Sequence, residues 1–219
     1  MAYQAVIFDL DGTLLNTLED LAASTNAALA AFALPRRTVD QVRRMVGNGL
    51  GKLIQRAVPA GTPEETQAAV LAAMKAHYAL HALDRTALYP QAALVLSGLE
   101  AAGIPCAVVS NKADFGVQTL HNRFFQGLVR FSFGEREGYP RKPDPALVRL
   151  ALNQLGIGPE DAVYVGDSDV DAATARNAGM DCILVDWGFR ERSVLEPLGF
   201  PVVSTGEALL EQILDKKAR

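Results

Sequence analysis

A repeated alternation constrains this chain most. Short apolar runs that do not alternate with polar residues recur along it, with amphipathic stretches between them. Val6–Phe8 is the first run, followed by Ile104–Val109, Ala162–Val165, Cys182–Val185 and the short Pro201–Val203. Asp114–Phe125, Pro145–Leu155, Val170–Ala178 and Glu207–Lys216 read as helices. A strand that is apolar on both sides has to be covered on both faces. The alternation therefore predicts an α/β fold, a Rossmann-like doubly wound parallel sheet between helical layers. Pro145 suits a first helical position, and Gly156 and Gly179 suit helix ends.

One segment breaks the pattern. Between Thr17 and Arg85 no strand is evident. Leu18, Leu21, Ala22, Thr25, Leu29 and Phe32 form a helical stripe, and so do Val42, Met45, Val46, Leu53, Ile54 and Ala57. Thr62-Pro63-Glu64-Glu65 combines a capping box with a helix-start proline, and Val70, Ala73, Met74, His77 and Tyr78 continue that helix on one face. A crossover between parallel strands needs only about a dozen residues. Residues 16–85 are thus expected to be an all-helical domain inserted into an α/β core made of 1–15 and 86–219.

Composition narrows the partners. The 219 residues carry a net charge of −4. A mildly acidic chain argues against nucleic acid as a partner, since phosphate backbones are held by concentrated Lys and Arg. A local cluster of cations still permits a small anionic substrate. No apolar stretch is long enough to span a bilayer, and no basic region precedes an apolar one at the start, so the expected location is cytoplasmic. Cys106 and Cys182 stand in apolar strand-like runs and are expected to be buried, reduced thiols.

The chemistry collects at strand ends, where ligands of such sheets bind. Asp9 and Asp11 end the first strand, Ser110-Asn111-Lys112 the second, and Gly166-Asp167-Ser168 the strand Ala162–Val165. Lys142 precedes Pro143-Asp144-Pro145 just before a helix. Acids packed this densely repel one another unless a cation sits between them, and oxygen-only donors favour Mg²⁺. Metal, lysine and turn amides together describe a phosphoryl site. A calcium loop is excluded, because Leu14 and Leu15 stand where further oxygen ligands would be required.

Asp9-Leu10-Asp11-Gly12-Thr13, Ser110-Asn111, Lys142 and Gly166-Asp167-Ser168-Asp169-Val170-Asp171, in this order, resemble the motifs of the haloacid-dehalogenase-like phosphatase superfamily from end to end. The helical insertion resembles the small helical cap of one large subgroup. Val46–Leu50, Gly134–Gly138 and Asp186–Arg190 look most like the phosphoglycolate phosphatase branch. The resemblance implies a nucleophile at Asp9 and a general acid/base at Asp11. It implies Mg²⁺ held by Asp9, the Asp11 carbonyl and Asp167, with Asp171 either ligating or orienting metal-bound water. It implies phosphate contacts from Ser110, the Asn111 amide and Lys142, aided by Gly12 and Thr13. The substrate is then a small phosphorylated metabolite, best matched by 2-phosphoglycolate, and the protein is a monomer or homodimer.

Other readings fit less well. Gly47-Asn48-Gly49-Leu50-Gly51-Lys52 lacks the spacer and hydroxyl of a nucleotide loop. It reads instead as a break in a cap helix, with glycine amides and Lys52 available to a substrate carboxylate. Arg43, Arg44 and Arg56 read as solvated helix charge. His77 and His81 have metal-ligand spacing without a third ligand, so they read as a packing pair. His121 reads as an ordinary helix residue, and Trp187 as packing in preference to an anchor for the loop after Cys182–Val185. A sugar-phosphate mutase such as a β-phosphoglucomutase shares every core motif and stays open, as does a phosphatase for a sugar phosphate or nucleotide. A carbon–halogen hydrolase has no use for Asp11, and a carbon–phosphorus hydrolase usually replaces it. A receiver-type regulatory domain would be shorter and lack the inserted helices. A catalytically dead binding module is disfavoured because no core motif residue is missing.

Overall fold

A computed structural model describes residues 2–215; Lys216, the expected end of the last helix, lies outside them. The chain forms two compact units, one made of Met1–Leu15 with Leu88–Arg219 and the other of Asn16–Ala87. The second unit thus ends two residues beyond the boundary expected from the helical stripes.

In the first unit β1 (Ala5–Phe8), β4 (Cys106–Ala113), β5 (Phe131–Glu135), β6 (Ala162–Gly166), β7 (Asp181–Val185) and β8 (Val202–Val203) form one parallel sheet in the order β5-β4-β1-β6-β7-β8. The order reverses at β1, which pairs with β4 on one side and β6 on the other. That reversal opens the crevice where doubly wound sheets bind ligands.

Side chains of successive strand residues leave opposite faces. Val6, Phe8, Val108 and Val165 therefore pack with α5 (Pro90–Ala102), α6 (Asp114–Phe124) and α10 (Gly206–Leu214). Ala5, Ile7, Ala107 and Tyr164 pack on the other face with α7 (Ala146–Leu155), α8 (Asp169–Ala178) and the short α9 (Arg192–Leu195). Both cysteines are free and buried.

Strand β5 and helix α5 were not among the expected elements. Helix α5 carried a readable signal: Pro90 begins it, Gly103 ends it at φ 69°, and Ala92, Val95, Leu96 and Leu99 are its buried face. Strand β5 is an edge strand in which Phe131 and Glu135 are only half-buried, so its apolar run is weak. Pro145 caps α7 from just outside rather than opening it, whereas Gly156 and Gly179 end their helices in the left-handed region.

The second unit is joined through β2 (Leu15–Asn16) and β3 (Ala87–Leu88), which pair with each other. It holds α1 (Leu18–Ala31), α2 (Val39–Met45), α3 (Gly49–Ala57) and α4 (Glu64–His81). Leu21, Ala22, Thr25 and Leu29 of α1 are buried, and so are Val70, Met74 and Tyr78 of α4; Phe32, expected on the stripe, is exposed. The buried Asp20 carboxylate accepts hydrogen bonds from the Thr86 amide at 2.9 Å and hydroxyl at 2.8 Å and from the Arg85 amide at 3.0 Å. The expected capping box at Thr62 does not form. Helix α4 begins at Glu64 with no side-chain cap, because the Thr62 hydroxyl donates instead to the Pro59 carbonyl. The capping box of this unit is Thr38 with Gln41, at the start of α2.

Candidate active site

Strand β1 ends in Asp9, and its chain then folds tightly. The Leu14 and Leu15 amides both return to the Leu10 carbonyl, and the Gly12 amide donates to the Leu15 carbonyl at 2.9 Å. Gly12 takes φ +91°, and a Cβ there would lie 2.3 Å from Asp167 Oδ2. Only glycine satisfies both conditions. The two acids of the D-L-D segment diverge: Asp9 turns into the sheet crevice, while Asp11 meets Lys112.

Lys142 is the hub of the crevice. Its ammonium donates to Asp9 Oδ1 at 2.7 Å, Asp171 Oδ1 at 2.8 Å and the Tyr164 hydroxyl at 2.9 Å, and all four residues are buried. Asn111 fixes this lysine through its main chain. The Asn111 side chain donates to the Lys142 carbonyl at 3.1 Å and accepts from the Lys142 amide at 2.8 Å. The Asn111 side-chain amide is thus committed to placing Lys142, a role the motif reading missed. Tyr164 was missed too. It lies inside a strand read as purely apolar, and only the inward phenol of an otherwise greasy run signals it.

Strand β6 delivers Asp167, and Ser168 caps the helix that follows by accepting from the Asp171 amide. The Ser168 hydroxyl also donates to Asp171 Oδ2 at 2.5 Å. Both Asp171 oxygens are therefore engaged by Lys142, Tyr164 and Ser168. Asp167 accepts from the Thr13 hydroxyl at 3.3 Å and from the Phe189 amide at 2.6 Å. Trp187 donates its indole N–H to the Thr13 carbonyl at 3.1 Å. A Cβ on Gly188 would lie 2.3 Å from the Gly12 carbonyl oxygen. Trp187-Gly188-Phe189 after β7 is thus a brace against the Asp9 turn and Asp167. Of the two readings of Trp187, packing and an anchor for the loop after β7, its indole hydrogen bond favours the anchor.

The crowding of three buried acids shows in their electrostatics. Burial pushes the Asp9 carboxyl up to about 7 despite the Lys142 ammonium, with Asp171 adding to the rise. Burial, with Asp171 and Asp9 beside it, likewise raises Asp167 well above the usual range. For Lys142, burial alone would lower the ammonium, but Asp171 and Asp9 outweigh it and raise it well above its ordinary value. Asp9, Asp167 and Asp171 can each bring one oxygen within 4.8 Å of the other two. Among the described residues this is the one such group. Lys142 contacts Asp9 and Asp171, and the Arg190 guanidinium acts on Asp167. Three buried acids this close are a donor set suited to a hard divalent cation.

The structure thus brings Asp9, Asp11, Gly12, Thr13, Ser110, Asn111, Lys142, Asp167 and Asp171 to the carboxyl ends of β1, β4 and β6 and the loop before α7. Gly47, Asn48, Gly49 and Lys52 belong to the helical unit. There Gly47 (φ 122°) and Gly49 (φ 81°) turn the chain between α2 and α3, as the expected helix break. Lys52 donates to Gln55 at 2.8 Å. Arg56, read as solvated charge, instead clamps this turn through the Met45 carbonyl at 2.7 Å and Asn48 Oδ1 at 2.9 Å. Arg43 and Arg44 pair with Asp40 on the surface. His77 and His81 stack with ring centroids 4.2 Å apart, and their Nδ1 atoms meet Ser24 and Asp84.

A parallel sheet thus gathers an acid at the end of β1, a buried lysine and a cluster of three acids at one crevice. Residues 6–185 match the family model of the haloacid dehalogenase-like hydrolases, and the chain belongs to that family. Phosphoglycolate phosphatase 1 of Pseudomonas aeruginosa is 36% identical over 191 residues, covering 84% of this chain and 70% of its own. The phosphoglycolate phosphatase of Rhodospirillum rubrum is 36% identical over 203 residues, covering 87% and 83%. A crystal structure from Lactobacillus delbrueckii subsp. bulgaricus, provisionally described as a phosphoglycolate phosphatase, superposes with a TM-score of 0.93 at 33% identity and covers 99% of this chain and 100% of its own. Among the described residues no helix is long and apolar enough to cross a membrane.

Proposed function

We propose that this protein is a Mg²⁺-dependent phosphatase that hydrolyses 2-phosphoglycolate to glycolate and inorganic phosphate. The observation that carries the reading is the 2.7 Å contact of Lys142 with Asp9 inside a triad of buried acids. The names of the similar proteins point to the substrate.

In this reading Asp9 attacks phosphorus, the ester P–O bond breaks, and an aspartyl phosphate forms on Asp9. Asp11 gives a proton to the leaving alkoxide. It then takes one from the water that attacks the phosphoenzyme, and the Asp9–phosphate bond breaks to restore the carboxylate. Lys142 holds Asp9 and offers its fixed positive charge to a phosphoryl oxygen there. Ser110 and the Asn111 main-chain amide, at the end of β4, complete that cradle. Asp9, the Asp11 carbonyl and Asp167 would hold the cation. Asp171, the third acid of the cluster, has both oxygens engaged by Lys142, Tyr164 and Ser168 and would orient Lys142 beside it rather than ligate or orient metal-bound water. Bound there, Mg²⁺ would offset the carboxylate charge and polarise the phosphoryl group. Thr13 and the Phe189 amide keep Asp167 in place, and the Gly12 turn keeps Asp9 facing the crevice.

The test is a panel of phosphate esters assayed for inorganic phosphate with Mg²⁺. The highest kcat/KM is expected for 2-phosphoglycolate. A clear preference for a sugar phosphate or nucleotide would overturn the substrate. Interconversion of glucose 1-phosphate and glucose 6-phosphate without phosphate release would mark a mutase instead.

A further inference from the structure

We propose that Lys112 is the positioning residue for Asp11, fixing its carboxylate where the hydrolytic water must give up its proton. The inference rests on the role of Asp11 in the reading above and extends it to a residue that none of the sequence motifs assigned.

The Lys112 ammonium donates to both Asp11 oxygens, at 2.9 Å and 3.1 Å. A contact to both oxygens sets the plane of a carboxylate, where a contact to one leaves it free to turn. Lys112 is no ordinary surface lysine: its side chain is 3% exposed, against 15% for Asp11. An ammonium withdrawn from water this far has to be compensated by its partner. The chain is shaped to bring it there. Strand β4 shifts register between Val109 and Ala113, and Ser110, Asn111 and Lys112 are buried in succession. The Lys112 amide donates to the Ser110 hydroxyl at 3.2 Å. The lysine stem runs past Gly116 in the first turn of α6, where an added Cβ would lie 3.6 Å from Lys112 Cε. Two buried lysines thus divide the acids, Lys142 facing Asp9 and Asp171 and Lys112 facing Asp11.

The consequence is a step-specific one. In the second half-reaction the water oxygen attacks phosphorus, its proton passes to Asp11, and the electron pair of the Asp9 O–P bond returns to Asp9. A carboxylate near the mouth of the site carries out that transfer well only if its direction is fixed. The first half-reaction tolerates a misplaced Asp11 when the leaving group needs no proton. p-Nitrophenolate is such a leaving group.

Rapid mixing with p-nitrophenyl phosphate and Mg²⁺ separates the two halves. Lys112→Met is expected to release one p-nitrophenolate per protein within about threefold of the wild-type rate, then to turn over at least about tenfold more slowly, with KM falling alongside kcat as phosphoenzyme accumulates. Lys112→Arg should recover part of the later rate. The inference is overturned if Lys112→Met slows the first and later turnovers by one common factor, or leaves kcat within about twofold of wild type. Should Lys112→Met not fold, Lys112→Gln, which keeps a donor in the buried position, carries the same readout. Asp11→Asn in the same assay tells the two failures apart. If it turns over as wild type does, the reading of Asp11 falls and this inference with it. If it shows the burst and Lys112→Met does not, only the role of Lys112 falls.

Discussion

Lys142 meets Asp9 across 133 residues of sequence, its ammonium 2.7 Å from Asp9 Oδ1 and 2.8 Å from Asp171 Oδ1. Removing one member of such a buried set leaves the others uncompensated. Lys142→Met should therefore destabilise the metal-free protein by about 3–5 kcal/mol and abolish phosphate release. Urea denaturation and a phosphate assay check both. A loss under about 1 kcal/mol would mean that the ammonium is not what makes these buried acids tolerable.

Burial pushes the Asp9 carboxyl up from its ordinary 3.8 to about 7 in the folded chain. The folded protein therefore holds this proton more tightly than the unfolded chain does. The resulting stability is fully present below about 3.8 and is lost as pH rises through about 7. Metal-free protein should accordingly melt at falling temperature across that window, by up to about 4 kcal/mol of stability, and Asp9→Asn should flatten the slope. An equal slope in the variant would show that Asp9 is not the group responsible.

Gly188 lies against the Gly12 carbonyl and Asp167, both within 2.5 Å of where its Cβ would stand. Neither neighbour is the free end of a flexible chain. Gly188→Ala should cost about 1–3 kcal/mol of stability and cut phosphate release at least about tenfold, by displacing Asp167 and the Asp9 turn together. Gly51→Ala is the contrasting case: it sits inside α3, where a Cβ meets only Leu71 at 3.9 Å. It should add about 0.5–1 kcal/mol. Thermal melts of both variants with a phosphate assay of the first distinguish these outcomes.

In the helical unit, Asp20 ties the start of α1 to the end of the segment at Arg85 and Thr86. Asp20→Ala strands two amides and a hydroxyl that now share one carboxylate, and should lower stability by about 2–3 kcal/mol. Amide exchange at Thr86 should quicken with it. Unchanged protection at Thr86 would contradict the assignment.

Much of this was legible in the sequence because its signals were local. Val6–Phe8 running into Asp9, and the strand Ala162–Val165 running into Asp167, fix which strand ends carry acids. What escaped was of two kinds. Elements whose pattern is diluted were passed over: β5 carries only Phe131 and Phe133 as large apolar residues at the sheet edge, and Thr62 prefers the Pro59 carbonyl to a helix amide. Contacts between distant residues were the other kind. Asn111 serving the main chain of Lys142, Tyr164 serving Asp171, and the Trp187–Phe189 brace on Thr13 and Asp167 each join positions that no spacing relates. Arg56 shows the same limit on a smaller scale, since a charge on a helix surface gives no sign that a turn eight residues away accepts from it.

The most direct measurement is inorganic phosphate release from 2-phosphoglycolate, with Mg²⁺ and with a chelator, by the wild type and by Asp9→Asn. Rapid release by the wild type with Mg²⁺ alone, and none above background in the other three cases, is the expected result. Release by Asp9→Asn at the wild-type rate, or by the wild type regardless of chelator, would contradict capture of phosphorus by Asp9 at a cation site.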